Sequence, residues 1–461
     1  KNIKVLKEAK EALLSFAVNY VTVSQIDKMG KLPCPDVNLI DTEGNQDPTC
    51  GADKVNSIGY FPFKTVGLGK IEDTTNECLW YVVSGDYKYL KNPPTPSAGM
   101  LNWDSVGYLN LVDENDNLKH GASVDNFPIA FIISPGASIH QDRTEDVGGK
   151  LSTCKANFVL SNYLEGGPNI VYKSTDDLPL TADTVWPFLS SSIASSIEYT
   201  AFNDQVIAVY RDELWDRIVK FGQLETDNTS PVNTLAETVT RELARCLRDY
   251  GNHPNNTVRT LPFPAPIDLF DYRNTAEYDD SDTGILYGRF PQVIDSSEAL
   301  NDVLPGGEST FVFDGMEFLT DAAATGYCGT TGLGANEDFW KNWKDHFFYV
   351  VGNDFKPSVT PPLVNIRCNN NEDCITVGGH DKLAAVIFFA GRANGTQTRN
   401  WTPAIDEKSN VANYLNGANA TSYDGSVEVV YDHSSTNDDY AYCVEYDESA
   451  ATFSMDRCEN L

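Results

Sequence analysis

The sequence predicts an α+β fold in which a helix packs on an antiparallel sheet, repeated twice in tandem. Three observations carry this expectation. Residues 2–21, NIKVLKEAKEALLSFAVNYV, place Leu6, Ala9, Leu13, Phe16 or Ala17, and Tyr20 at helical spacing, with lysines and glutamates on the other face. Short β-rich apolar runs follow, LWYVV at 79–83 and FPIAFIIS at 127–134, each closed by a turn sequence. The second half of the chain then repeats the order of the first. The 461 residues exceed one ordinary core. The 33 glycines, 23 prolines and 22 tyrosines suit turns and strands better than a helical bundle.

Taken in order, the first helix must stop before LPCPD at 32–36. Proline has no N–H and pushes its predecessor out of the α region, so Leu32 and Cys34 are expected to be extended. A glycine-rich loop leads to CLWYVVSGDYK, and FPIAFIIS supplies the next strand. NDQVIAVYRDELWDRIVKFG reads as a strand running into a helix, and the polar QLETDNTSP separates it from a second long helix. That helix, residues 234–252, carries the stripe Leu235, Val239, Leu243, Cys246 or Leu247, and Tyr250. Thr234 and Glu237 read as its capping box and Gly251 as its C-terminal cap.

The landmarks then recur. LPFPAP at 261–266 answers LPCPD, and HFFYVVGNDFK at 346–356 answers CLWYVVSGDYK at 78–88. KLAAVIFFAGRANGTQTR answers FPIAFIISPGASIHQDR, and NVANYLNGAN at 410–419 answers NFVLSNYLEGGPN at 157–169. With the two helices, this is one unit written twice. The division expected is residues 1–30 as the outer part of a stalk helix, 31–205 as a first head module, 206–233 as a connecting strand, helix and linker, and 234–461 as a second module.

The charge is lopsided, with 66 acidic against 34 basic residues and a net of −32. Such a surface repels phosphate backbones and anionic headgroups, which argues against nucleic acid as a partner. The ten cysteines are Cys34, Cys50, Cys78, Cys154, Cys246, Cys328, Cys368, Cys374, Cys443 and Cys458. They form no CxxC pair, and zinc-ligand spacing is absent. An even set without metal spacing favours disulfides and an oxidising compartment. Connectivity stays open from sequence, neighbour pairing being the simplest choice: 34–50, 78–154, 246–328, 368–374 and 443–458. No run of apolar residues is long enough to span a membrane, and Lys1 already lies within the helical pattern, as if a leader preceded it.

These blocks, KEALLSFAVNY, LPCPD, FPFKTVGLG, LWYVVSGD and PIAFIISPGA, together resemble type IV pilin-like proteins, in particular large minor pilins and pseudopilins. The match covers residues 5 to about 170; the second copy keeps Leu261, Pro262 and Pro264 and loses the cysteine. The resemblance implies a long N-terminal helix on an antiparallel sheet, with an apolar anchor upstream of Lys1 as the sole membrane contact. It implies a structural or adhesive filament subunit and no enzyme, with other pilin subunits as partners and a host or surface receptor or glycan as target. The tip pseudopilin of a type II secretion system is a first alternative. A secreted polysaccharide-binding protein or hydrolase is a second.

Signals for chemistry are sparse. Ser152–Lys155 fits SxxK without its companion motifs. His140 and Asp142 form a pair in a loop. Asp113, Asn115 and Asn117 alternate like the start of a calcium loop, but the glycine and closing glutamate are missing, and a polar hairpin turn is the favoured account of them. YDDSD at 278–282 and STNDDY at 435–440 read the same way. No cofactor is called for beyond that calcium. Trp103, Trp186, Trp215, Trp340, Trp343 and Trp401 suit core packing, or the lining of a glycan or protein site.

Overall fold

The computed structural model describes residues 2–19, 28–37, 43–52, 54–90, 100–112, 127–138, 154, 160, 163–164, 186–189, 203–222, 231–254, 256–280, 284–292, 333, 336–357, 367–368, 374–402, 405–422, 430–431 and 440–460. The chain divides into two compact units, Lys1–Ser230 and Pro231–Leu461. Among the described residues, no helix is long and apolar enough to cross a membrane.

The first unit holds helix α1 (Asn2–Val18) and strands β1 (Leu32–Pro33), β2 (Ser57–Tyr60), β3 (Trp80–Val83), β4 (Lys88–Tyr89), β5 (Leu109–Val112), β6 (Ala130–Ser134), β7 (Trp186–Leu189) and β8 (Gln205–Val209). Helix α2 (Arg211–Gly222) follows. The main sheet runs β2–β3–β6–β8, antiparallel throughout, while β1 with β4 and β5 with β7 form parallel pairs. Leu6, Ala9, Leu13 and Ala17 of α1 are buried, and the helix packs on β1, β6, β8 and α2.

This corrects the predicted fold class, a long pilin-like N-terminal helix on an antiparallel sheet repeated in tandem. Helix α1 has 17 residues, roughly 25 Å. It stops at Val18, well short of residue 30, and residues 28–30 are turn. Two charges of its polar side are paired. Lys10 Nζ donates to Ala208 O and to Glu213 Oε1, each at 2.7 Å. Arg217 holds Glu11 at 2.7 Å. A helix with its apolar stripe on a sheet and two of its charges paired to a neighbouring helix is part of the body of the unit, with Lys4, Lys7 and Glu8 left exposed. The class is α+β, with short helices and several antiparallel sheets.

The second unit opens with α3 (Pro231–Asn252) and continues through β9 (Tyr287–Arg289), α4 (Glu337–Trp343), β10 (Phe347–Val351), β11 (Ile375–Val377) and β12 (His380–Phe389). It closes with β13 (Trp401–Thr402), β14 (Ile405–Asp406), α5 (Gly417–Ser422), β15 (Val430–Tyr431), β16 (Tyr440–Asp447) and β17 (Thr452–Arg457). The sheet places β9, β10, β12, β16 and β17 side by side, with β11 and β15 beyond one end of β12. Helix α3 covers β12, β16 and β17, burying Leu235, Val239, Leu243, Cys246, Leu247 and Tyr250.

Both predicted caps of α3 serve other ends. The helix begins at Pro231, one turn before Thr234, where a missing N–H costs nothing. Thr234 O accepts the Thr238 hydroxyl at 2.7 Å, and Glu237 pairs with Arg457 of β17 at 3.0 Å. Gly251 is still helical. A Cβ there would lie 2.4 Å from the Phe453 ring, so the glycine lets β17 approach. Asn252 then grips the Phe453 backbone, its Nδ2 donating to Phe453 O at 2.8 Å and its Oδ1 accepting Phe453 N at 2.7 Å.

One register recurs in the two sheets. Tyr60 pairs with Trp80 and Trp80 with Ile133; Arg289 pairs with Phe348 and Phe348 with Phe388. Ile133 pairs with Val206 as Phe388 pairs with Ala441. Each proline pair feeds an isolated bridge onto the outer strand, Asp36 to Tyr60 and Ala265 to Arg289. That bridge requires glycine beside it. A Cβ on Gly288 would sit 2.0 Å from Ala265 O, and one on Gly59 2.9 Å from Asp36 O. Gly288→Ala is therefore expected to lower the melting temperature of the second unit by several degrees, against no shift for Gly395→Ala, whose Cβ meets nothing within 4 Å. Equal melting curves would show that the bridge yields freely.

Candidate functional site

The densest ionisable cluster among the described residues lies inside the second unit. Asp345 and His346 belong to a 3₁₀ turn, Lys344–His346, between α4 and β10. Lys408 enters from the turn after β14, where Asp406 Oδ1 accepts the backbone N–H of Lys408 and of Ser409, each at 3.1 Å. Asn410 caps the short turn Val411–Asn413 through the Ala412 N–H at 3.1 Å, which delivers Tyr414 to the same place. Arg289 ends β9.

Arg289, Asp345, His346, Lys408 and Tyr414 are all buried. Arg289 spends its guanidinium on backbone carbonyls: Nε donates to Ile267 O at 3.0 Å, Nη2 to Lys408 O at 2.7 Å, and Nη1 to Asp345 O. The rings of Tyr272, Phe348 and Tyr414 face its charge at 4.7, 5.0 and 5.2 Å, a favourable placement for a desolvated cation. The Asp345 carboxylate lies 2.9 Å from His346 Nδ1 through Oδ1, and Lys408 Nζ donates to its Oδ2. The Tyr414 hydroxyl touches both partners, 3.2 Å from Lys408 Nζ and 3.4 Å from Asp345 Oδ2. Burial works to raise the Asp345 pKa. Lys408, then His346 and Arg289, outweigh it and hold the carboxyl well below its usual range.

Nearer the surface, Asp268 faces Asp406. Burial, then the hydrogen bond and charge of Asp406, raise the Asp268 carboxyl. The Tyr272 hydroxyl donates to Asp406 Oδ1 at 3.2 Å. Arg273 lies 4.8 Å over the Trp401 ring, and Phe270 is 92% exposed.

Four neighbour pairs are disulfides: Cys34–Cys50, Cys78–Cys154, Cys368–Cys374 and Cys443–Cys458. Cys246 is also disulfide-bonded, while position 328 lies outside the described residues. These bonds assign the chain to an extracellular or periplasmic setting. Asp113, Asn115 and Asn117 lie outside the described residues, as do His140, Asp142, Ser152 and Lys155. Of the acidic runs, Tyr278 and Asp280 are buried and Tyr440 starts β16. Trp103, Trp215, Trp340 and Trp343 are core side chains; Trp340 Nε1 donates to Gln292 Oε1 at 3.1 Å.

Sequence reasoning passed over Arg289, Asp345, His346, Lys408 and Tyr414. One signal was available: in the repeated block CLWYVV/HFFYVV, histidine stands where the first copy has Cys78. A cysteine lost from one copy leaves its partner segment to be held some other way. Comparison of the chain with protein-family models, with curated proteins and with solved structures finds no match.

Proposed function

We propose that the protein is an exported structural or adhesive subunit of a type IV pilus or related extracellular filament, and not an enzyme. The observation that carries this reading is the closure of the ionisable cluster. Its charges are spent on the protein's own carbonyls and carboxylate, so among the described residues this cluster supports the fold. The blocks that resemble pilin-like proteins are joints of the fold: LPCPD feeds the Asp36–Tyr60 bridge, and YVVSGD carries β3 into the turn Gly85–Tyr87. Disulfides suit a body exposed outside the cell. Its partners are other subunits of the filament and a host or surface receptor or glycan, with the exposed Phe270 ring as a contact point.

The test is made on producing cells. Immunogold labelling with antibody to the folded protein is expected on extracellular filaments, and loss of the protein is expected to reduce filament number or surface attachment. Label confined to the periplasm, with loss of exported proteins from the medium, would transfer the protein to a secretion machine. Release of sugar from polysaccharide by the purified chain would end the structural reading.

A further inference from the structure

We propose that Lys408 and Asp345 are joined by an amide bond between side chains, a covalent cross-link that does in the second unit what Cys78–Cys154 does in the first. The inference is independent of the filament reading. It rests on position, on surroundings and on chemistry.

Position comes from the shared register. Trp80 and Phe348 are equivalent, since each pairs with the outer strand on one side and with Ile133 or Phe388 on the other. Two residues before them stand Cys78 and His346, the latter next to Asp345. Cys78 is bonded to Cys154, which precedes Tyr163 and Leu164. Lys408 likewise precedes Tyr414 and Leu415, standing six residues before the tyrosine where Cys154 stands nine before Tyr163, so the match is of segments and not of positions. Tyr163 packs on Trp80 at 5.4 Å, and Tyr414 on Phe348 at 5.1 Å. The same two segments are therefore tied in each unit, by sulfur in one and by the lysine–aspartate pair in the other.

The surroundings favour condensation. Asp345 is fully buried and Lys408 nearly so, at 0 and 2% exposure. Two opposite charges removed from water are costly, and the amide removes both. Arg289 does not need the carboxylate, because its donors reach carbonyls and its charge faces three rings. Two of those carbonyls belong to Asp345 and Lys408 themselves. Arg289 is thus a positioning residue that clamps both reacting residues by their backbones. Fixed neighbours of this kind react with an effective molarity on the order of 10⁵ M or more.

The step balances without any outside reagent. One proton passes from the Lys408 ammonium to Asp345 Oδ2 along their hydrogen bond, leaving an amine and a carboxylic acid. The Nζ lone pair attacks Cγ, and His346, whose Nδ1 lies 2.9 Å from Oδ1, in its Nδ1–H tautomer supports the negative charge that develops there. The Tyr414 hydroxyl, within reach of Nζ and Oδ2, carries a second proton from nitrogen to the departing oxygen. The Cγ–Oδ2 bond breaks, one water leaves, and the Nζ–Cγ bond remains.

Intact-mass measurement of the reduced, denatured protein tests this directly. The expected mass is lower than that of the sequence by one water. Proteolysis is expected to give a branched peptide joining the Asp345 and Lys408 segments. Lys408→Arg, which keeps the charge, is expected to restore the full mass. The proposal is overturned by a full-mass native chain with the two peptides recovered separately. It is overturned equally by a missing water that maps elsewhere or persists in Lys408→Arg.

Discussion

Arg289→Ala is expected to destabilise the second unit by roughly 3–5 kcal/mol, the scale for breaking a buried charged network. The side chain is fully buried and connects three chain segments through Ile267 O, Asp345 O and Lys408 O. Truncation leaves three desolvated acceptors and opens a void among Tyr272, Phe348 and Tyr414. Arg289→Lys is expected to rescue little, since one ammonium cannot serve carbonyls arranged for a planar fork. Urea unfolding followed by circular dichroism reads the effect as an earlier transition for the second unit. A loss of less than about 1 kcal/mol in Arg289→Ala, the net worth of a single ordinary hydrogen bond, would mean that the clamp is incidental.

The paired substitution Cys78→Ala with Cys154→Ala is expected to cost the first unit about 4 kcal/mol on the chain-entropy scale. The bond closes a sequence separation of 76 residues, against 6 for Cys368–Cys374. Removing the short bridge by Cys368→Ala with Cys374→Ala is expected to cost about 2 kcal/mol on the same scale. Denaturant midpoints of the two double variants, each compared with the native chain, give the ranking. Equal losses, or a larger loss from the short bridge, would place the stabilisation in the folded contacts instead.

These expectations differ in how far the sequence foretold them. Disulfide formation was legible from an even cysteine set without metal spacing, while the connectivity was left open and four neighbour pairs are found in the fold. The strands around YVV and FII were legible because a run of β-branched and aromatic residues bounded by turns has few alternatives. The extent of α1 was misjudged. Its apolar period continues past Val18 on paper, while the helix in the fold ends there. Gly251 was read as a helix stop from its identity alone, whereas its reason is the ring of Phe453, which comes from the far end of the chain. The tryptophans were legible as core candidates, and Trp340 and Trp343 are buried on α4.

The ionisable cluster was not legible. Arg289 reaches Asp345 across 56 residues and Lys408 across 119, and Lys408 reaches Asp345 across 63. No local period or motif links such positions. Each residue alone reads as an ordinary surface charge.

By itself the sequence determined the α+β composition, the order of the elements and the recurrence of the LPxP and YVV blocks. Those follow from local steric rules and short-range period, which act within a few residues. Tertiary structure alone decided that α1 packs into the first unit with Lys10 and Glu11 paired to α2, and that the second unit gathers two cations, a carboxylate and a histidine in one buried place. Those depend on which distant segments the sheet register brings together, and on the high cost of burying a charge unless its partners arrive with it.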